Sequence, residues 1–224
     1  MNASRGRNAS ARPRAFPSAL LEGYQAFKEG RFAVEQERYR QLAERGQMPK
    51  TLVIACCDSR AAPETIFNAA PGDIFVVRNV ANLVPPYEPD GSYHSTSAAL
   101  EFAVQSLKVE HIVVLGHGRC GGIRAALDPA DAPLSPGDFI GKWMQLLETA
   151  TAAVVDNTWM TQAERQTALE RISIRYTLAN LRTFPCIDIL EKKHRLALHG
   201  AWFDIAEGEL WIMNAETGDF ARAA

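Results

Sequence analysis

HIVVLGHGRCGG, residues 111–122, begins with a continuous run of apolar, mostly β-branched side chains. Such a run is typical of a strand that is buried on both faces of a parallel sheet. The segments TLVIA at 51–55 and DIFVVRN at 73–79 have the same character, and a segment of helical spacing at 97–107 separates the second from the third. Strands that alternate with helices predict an α/β fold with a mostly parallel central sheet flanked by helices.

Local signals place further elements around this sheet. A helical arm is predicted near the N-terminus, from Ser18 as its capping residue to a stop at Gly46. The capping box TQAE at 161–164 opens a long helix, which ends before Pro185. A C-terminal β-hairpin is predicted to turn near residues 207–208. We expect residues 18–224 to form one domain, because a chain of this length supports one good-sized core.

The composition is that of an ordinary globular protein. Of the 224 residues, 47% are hydrophobic and 22% are charged, and the net charge is -2. These values predict neither a nucleic acid nor a membrane as a partner, and no apolar run approaches the ~20 residues that span a bilayer. Four cysteines are too few for a disulfide scaffold. They favour a reducing compartment, for which we expect the cytoplasm.

The first 17 residues differ from the remainder. They carry four arginines and no acidic residue. This composition has a weak likeness to an organelle transit peptide, but it lacks the apolar segment of a secretory signal. We interpret residues 1–17 as a basic arm and expect it to be disordered.

Residue types that bind metals follow two of the predicted strands directly. One strand runs into CCDSR at 56–60, and another runs into GHGRCGG at 116–122. In parallel sheets, ligands bind beyond the carboxyl ends of the strands. Because strand side chains alternate between faces, Cys56 and Asp58 share one face and Cys57 points to the other. We therefore assign Cys56 to the site and interpret Cys57 as buried packing.

Three of these side chains form a plausible zinc set. Cys56, His117 and Cys120 would supply two sulfur atoms and one nitrogen atom, which suits Zn²⁺. Three protein ligands with one exchangeable position are typical of a catalytic zinc site. Asp58 is the candidate for a fourth ligand, and Arg60 lies close enough in sequence to hold that carboxylate away from the metal.

The two motifs together resemble the signatures of the β-class carbonic anhydrases. The family pattern C-x-D-S-R is present from Cys56 to Arg60, and H-x-x-C is present from His117 to Cys120. The resemblance extends to PGDIFVVRNVANLVPPY at 71–87 and to the segment that leads into the second motif. It covers nearly the whole chain from about Gln47 onward.

The resemblance implies zinc-dependent, reversible hydration of carbon dioxide to bicarbonate and a proton, with one Zn²⁺ per chain. It implies that Asp58 and Arg60 are catalytic residues and that the chain forms a homodimer or homotetramer. Phe102 stands where the family commonly has tyrosine. The substrate-binding residues that the resemblance implies are Gln47, Phe75, Val80, Phe102 and Gly121.

Two positions favour the plant-like branch of that family. The bicarbonate-regulated branch has Trp and Tyr where this chain has Val53 and Phe203, although the arginine that accompanies them there matches Arg78. These differences favour an open zinc site with water as the fourth ligand.

Two other functions fit the same residues. An enzyme with this zinc site could hydrolyse carbonyl sulfide or carbon disulfide, and the motifs do not separate these substrates from carbon dioxide. A non-catalytic protein could carry a structural zinc closed by Asp58. Arg60 argues against the latter, because a structural aspartate ligand needs no competing guanidinium group.

Overall fold

The computed structural model describes residues 15–90, 94–128 and 132–223. The chain divides into two compact units, Met1–Gly46 and Gln47–Ala224. The predicted basic arm at 1–17 lies almost entirely outside the described residues. In the part of the chain that is described, no helix is long and apolar enough to cross a membrane.

The larger unit is built on a mixed sheet with strand order β2-β1-β3-β4-β5-β6 in its described residues. The first four strands in that order run parallel, whereas β5 and β6 are antiparallel to their neighbours. The strand bounds are β1 Thr51–Cys56, β2 Ile74–Asn79, β3 His111–His117, β4 Ala197–Asp204, β5 Glu209–Met213 and β6 Phe220–Arg222. The predicted parallel sheet and C-terminal hairpin are therefore confirmed.

Helices connect the strands and cover the sheet. The helix bounds are α1 Ser18–Glu29, α2 Arg31–Arg45, α3 Pro63–Ile66, α4 Ser95–Glu101, α5 Gly121–Leu127, α6 Phe139–Met144, α7 Glu148–Val155, α8 Gln162–Leu181 and α9 Pro185–Lys192. The helices α1 and α2 make up the described part of the smaller unit. The capping box is present as predicted, because Thr161 and Glu164 bond each other's backbone N–H groups at the start of α8.

The sheet is buried on both faces, as the unbroken apolar runs predict. In β1, Leu52 and Ile54 pack into the cluster that includes Ile174 of α8, whereas Val53 and Ala55 pack into a cluster on the opposite face. This alternation is the period of two that every strand imposes. The same alternation determines which of the two adjacent cysteines at the end of β1 turns inward.

Two predicted details differ from the structure. Pro17 precedes α1 and no side chain caps it, so the prediction of Ser18 as a cap is wrong and Ser18 is the first helical residue. The helix predicted at 97–107 begins earlier, at Ser95, and widens into a π-helical turn over Phe102–Leu107.

Candidate metal centre

Three potential metal ligands meet at the carboxyl ends of two neighbouring strands. Cys56 is the last residue of β1, and His117 is the last residue of β3. The two strands are hydrogen-bonded neighbours in parallel register, so these ends share one edge of the sheet. Cys120 follows three residues later as the residue that precedes α5.

The three side chains are close enough to bind one ion. Their ligand atoms all lie within 4.8 Å of one another, and the two Sγ atoms are 3.9 Å apart. All three residues are at least 95% buried. The hydrogen bond between the two sulfur atoms lowers the pKa of the Cys56 thiol and raises the pKa of Cys120, because it stabilises one thiolate beside one protonated thiol. A cation bound between them would favour both thiolates.

The orientation of His117 also fits a metal. Its Nδ1–H donates to the carbonyl of Gly118 at 2.9 Å, which leaves Nε2 as the nitrogen that can bind an ion. The Nε2 atom is buried and has no hydrogen-bond partner among the described residues. A buried acceptor is rarely left without a partner. The two sulfur atoms and this nitrogen are the ligand types that zinc takes.

Asp58 and Arg60 form a bidentate pair beside these ligands. Arg60 donates from Nε to Oδ1 at 2.9 Å and from Nη2 to Oδ2 at 2.7 Å, and its backbone N–H also donates to Oδ1. These hydrogen bonds hold the pKa of the Asp58 carboxyl far below its usual range. Asp58 Oδ2 is also 3.9 Å from His117 Nε2, so the carboxylate faces the metal position while Arg60 holds it.

The backbone around Cys56 is fixed by a second arginine. Arg78 donates from Nε to the Cys56 carbonyl at 2.8 Å and from Nη2 to the Asp58 carbonyl at 2.7 Å. The backbone N–H of Ala81 points at Cys56 Sγ at 3.4 Å, an interaction that favours the thiolate. Ala81 adopts the left-handed region, with φ 63°, to make this approach. Arg78 is therefore a structural clamp for the CCDSR segment.

The sequence did not reveal a group from α8 that supports Cys120. Glu170 is 2% exposed, and its carboxylate accepts hydrogen bonds from the Cys120 backbone N–H, Gln166 and Trp202. Burial raises the pKa of Glu170. The sequence contained one signal for this group: an acidic residue on the side of α8 that faces the core. Glu170 lies on the same helical stripe as the buried Ser173.

The structure separates the predicted substrate-binding residues into two groups. Val80 packs against the cluster that contains Cys56 and Cys120, and Gly121 begins α5 directly after Cys120. Val80 also lines a cavity of about 580 Å³. Its carbonyl accepts a hydrogen bond from Trp143 Nε1 at 2.8 Å. These two residues lie at the ligand end of the sheet.

The other three lie toward the opposite end of the strands. Gln47 is exposed and precedes β1, whereas Cys56 ends that strand. The span from Thr51 to Cys56 alone is about 17 Å at the usual rise of a strand. Phe75 pairs with Leu52 near the start of β1, and its ring contacts Phe102 at a centroid distance of 5.9 Å. Within one chain, these three residues therefore do not reach the metal ligands.

The structure also locates Cys57, Val53 and Phe203, to which the sequence analysis gave an interpretation. Cys57 stands outside the ligand cluster, and it is exposed, so its interpretation as buried packing is wrong. It lines the cavity beside Val80, because the chain turns outward after β1. Val53 is buried in the core of the sheet, and Phe203 pairs with His117 across β3 and β4.

Comparison with known proteins agrees with this geometry. The sequence model of the family described as carbonic anhydrase matches residues 51–210. "Beta carbonic anhydrase 5, chloroplastic" of Arabidopsis thaliana is 40% identical over 191 residues, which are 84% of this chain and 62% of that protein. The chain thus spans less than two thirds of the length of that relative.

Solved structures give the same result. The β-carbonic anhydrase CcaA has a TM-score of 0.85 and 31% identity, with 92% of each chain covered. One of two tetrameric β-carbonic anhydrases from Sordaria macrospora has a TM-score of 0.74 and 28% identity, with 92% of this chain and 98% of that chain covered. With the ligand set, the Asp–Arg pair and the sheet order in place, these likenesses establish that the chain belongs to the β-class carbonic anhydrase family.

Proposed function

We propose that this protein catalyses the reversible hydration of carbon dioxide to bicarbonate and a proton. The observation that carries the proposal is the buried Cys56, His117 and Cys120 set with the ionised Asp58 carboxylate turned toward it. Zinc held by this set would lower the pKa of a water molecule, so that hydroxide would be available near neutral pH.

The residues of the chain would orient the reacting groups. Asp58 stays ionised beside Arg60, so it accepts hydrogen bonds and cannot donate them. Facing the metal position, it would accept a hydrogen bond from the attacking water and so direct a free lone pair of that oxygen toward the carbon atom of the substrate. Val80 supplies an apolar wall that suits a small, uncharged gas.

A stopped-flow assay of carbon dioxide hydration tests this function. We expect rapid hydration by the zinc-loaded protein and a loss of about 10²-fold in Asp58→Ala, the usual cost of losing the correct orientation of a reacting group. Carbonyl sulfide and carbon disulfide are assayed in parallel. Zinc-loaded protein that hydrates no carbon dioxide would contradict the proposal, and hydrolysis of the sulfur compounds alone would reassign the substrate.

We further propose that the active form is a homodimer or homotetramer. The separation of Gln47, Phe75 and Phe102 from the ligands of their own chain supports this, since a second copy could bring the three residues to the site. Phe102 is 47% exposed. In α1 and α2, no residue is buried, and Leu20 and Tyr24 expose half or more of their surface. The tetrameric relatives from Sordaria macrospora agree with such an assembly.

We place the protein in the cytoplasm. The four cysteines, all of which lie in the described part of the chain, are free thiols. Free thiols are typical of a reducing compartment. Cell fractionation with an antibody to the protein tests this location.

A further inference from the structure

Two side chains of α8 hold the backbone of Cys120 from both sides. Glu170 Oε1 accepts the Cys120 N–H at 2.9 Å, and Gln166 Nε2 donates to the Cys120 carbonyl at 3.3 Å. The two side chains are one helical turn apart and are bonded to each other at 3.1 Å. Both polar groups of this ligand residue are therefore tied to one rigid helix.

The environment of Glu170 is unusual for a carboxylate. The residue is 2% exposed, and within the described ranges the charges of His117 and Arg171 act on it without supplying any of its hydrogen bonds. It is instead satisfied by three N–H donors, the third being Trp202 Nε1 at 3.2 Å. A buried carboxylate is costly, and helix formation alone does not require one here. A role specific to the group it contacts accounts for its presence.

The segment that Glu170 contacts needs such support. Arg119, which precedes Cys120, lies in the left-handed region with φ 57°. A non-glycine residue there is unfavourable, and the surrounding structure must hold it. Rotation of the Cys120 peptide would move its Sγ away from Cys56 and His117. The α8 helix can resist this movement, because it packs against β3 through Ile174 beside Gly116.

We propose that Glu170 is a positioning residue for the metal centre, which fixes Cys120, with the help of Gln166, in the conformation that binds zinc. Glu170 is not itself a ligand, since both of its oxygens accept N–H groups and it stands outside the ligand cluster. The proposal rests on the metal site and is independent of which substrate the site hydrates.

Metal retention in the zinc-loaded Glu170→Gln variant tests the proposal. Glutamine keeps the size of the side chain but places an NH₂ group against N–H donors. We expect the affinity for zinc to fall about 10–100-fold, the usual effect of losing a partner of a metal ligand, and zinc therefore to transfer to a chelator faster than from wild type. With Co²⁺ in place of zinc, we also expect a change in the thiolate-to-cobalt absorption bands, which a purely structural role would not move.

Ser173→Ala is the matched control. Ser173 is equally buried on α8, but its hydroxyl bonds the helix backbone at the Glu170 carbonyl and does not touch Cys120. Its zinc release and cobalt spectrum should remain those of wild type. If Glu170→Gln does not fold, Gln166→Leu should release zinc faster in the same way, because it removes the bonds of Gln166 to Glu170 and to the Cys120 carbonyl and leaves that carbonyl with the Arg124 N–H. The proposal would be overturned if folded Glu170→Gln had the zinc release and the cobalt spectrum of wild type. Where Glu170→Gln does not fold, the same result in Gln166→Leu would overturn it.

Discussion

At the scale of single residues, Arg60 determines what Asp58 can do. The carboxylate is 3.9 Å from the ligand nitrogen of His117 and also accepts two hydrogen bonds from the guanidinium group. Asp58 is therefore near enough to compete for the metal and is restrained from doing so. Arg60 in turn is steadied by the carbonyl of Arg119, from the loop that carries the other motif.

Replacement of Arg60 by alanine should release this restraint. We expect Arg60→Ala to keep its zinc but to lose about 10–100-fold in hydration activity, because the freed carboxylate competes with water for the open position. Zinc-edge X-ray absorption should then show four protein ligands. Asp58→Ala is the control, since it should keep an exchangeable position while also losing activity. Full activity in Arg60→Ala would reduce that residue to a structural role.

We expect opposite results when each of the two adjacent cysteines is replaced by serine. Cys56 is 5% exposed and lies in the ligand cluster, whereas the exposed Cys57 stands outside it. Cys56→Ser should lose most of the bound zinc, because a hydroxyl group is a far weaker ligand than a thiolate. Cys57→Ser should retain about one zinc per chain in elemental analysis. Loss of zinc from Cys57→Ser alone would contradict the assignment of the two faces.

At the scale of elements, the start of α5 must approach the turn after β2 closely. A Cβ atom on Gly122 would lie 2.6 Å from Val80 Cγ1 and 3.3 Å from the Ala81 Cβ, whereas a Cβ atom on Gly121 would meet nothing within 4 Å. Two neighbouring glycines on one helix thus have different constraints. Glycine is required at 122 because Ala81 must reach the thiolate of Cys56.

This contrast gives a matched pair of variants. Gly122→Ala should reduce the free energy of unfolding by about 1–3 kcal/mol, as overpacking of a tight contact does. Gly121→Ala should change it by no more than about 0.5 kcal/mol, because the added methyl group enters open space. Urea denaturation of both zinc-loaded proteins measures the difference. Equal stabilities would mean that the segment from Val80 to Ala81 moves aside freely.

At the scale of the whole molecule, we propose that a second copy of the chain completes the site. The metal ligands lie at one end of the sheet, and Gln47, Phe75 and Phe102 lie toward the other. A two-fold assembly could bring each group of three to the partner's ligands. In such an assembly every contact that one chain makes with its partner is made by the partner in return, so both sites would be completed in the same way.

Mixing two inactive variants tests this arrangement. Cys56→Ser removes a metal ligand, and Gln47→Ala removes a side chain that the family resemblance implies for substrate binding. If sites are shared, co-expression of the two chains should restore about a quarter of wild-type activity, because half of the dimers are mixed and each mixed dimer has one intact site. Light scattering should give twice or four times the chain mass of 24.7 kDa. The shared site would be contradicted if the co-expressed chains were only as active as the two variants measured separately and added together. An active monomer would also contradict it.

The sequence by itself determined the ligands and the elements that carry them. Cys56, His117 and Cys120 are identifiable because the donor atoms that zinc prefers follow directly after two apolar strands, and the alternation along β1 selects Cys56 over Cys57. These are local properties, which depend on the spacing of a few residues. The exposure of Cys57 was not predictable in this way, because it depends on the direction that the chain takes after the strand ends.

The tertiary structure alone decided which distant groups support or complete the site. Glu170 reaches Cys120 across 50 positions of the sequence, and it does so because α8 packs on β3 through Ile174 and Gly116. Gln47 and Phe102 are separated from the ligands because the parallel strands set all carboxyl ends at one edge. Such placements follow from burying the whole core at once, a sum over many weak contacts that no short motif encodes.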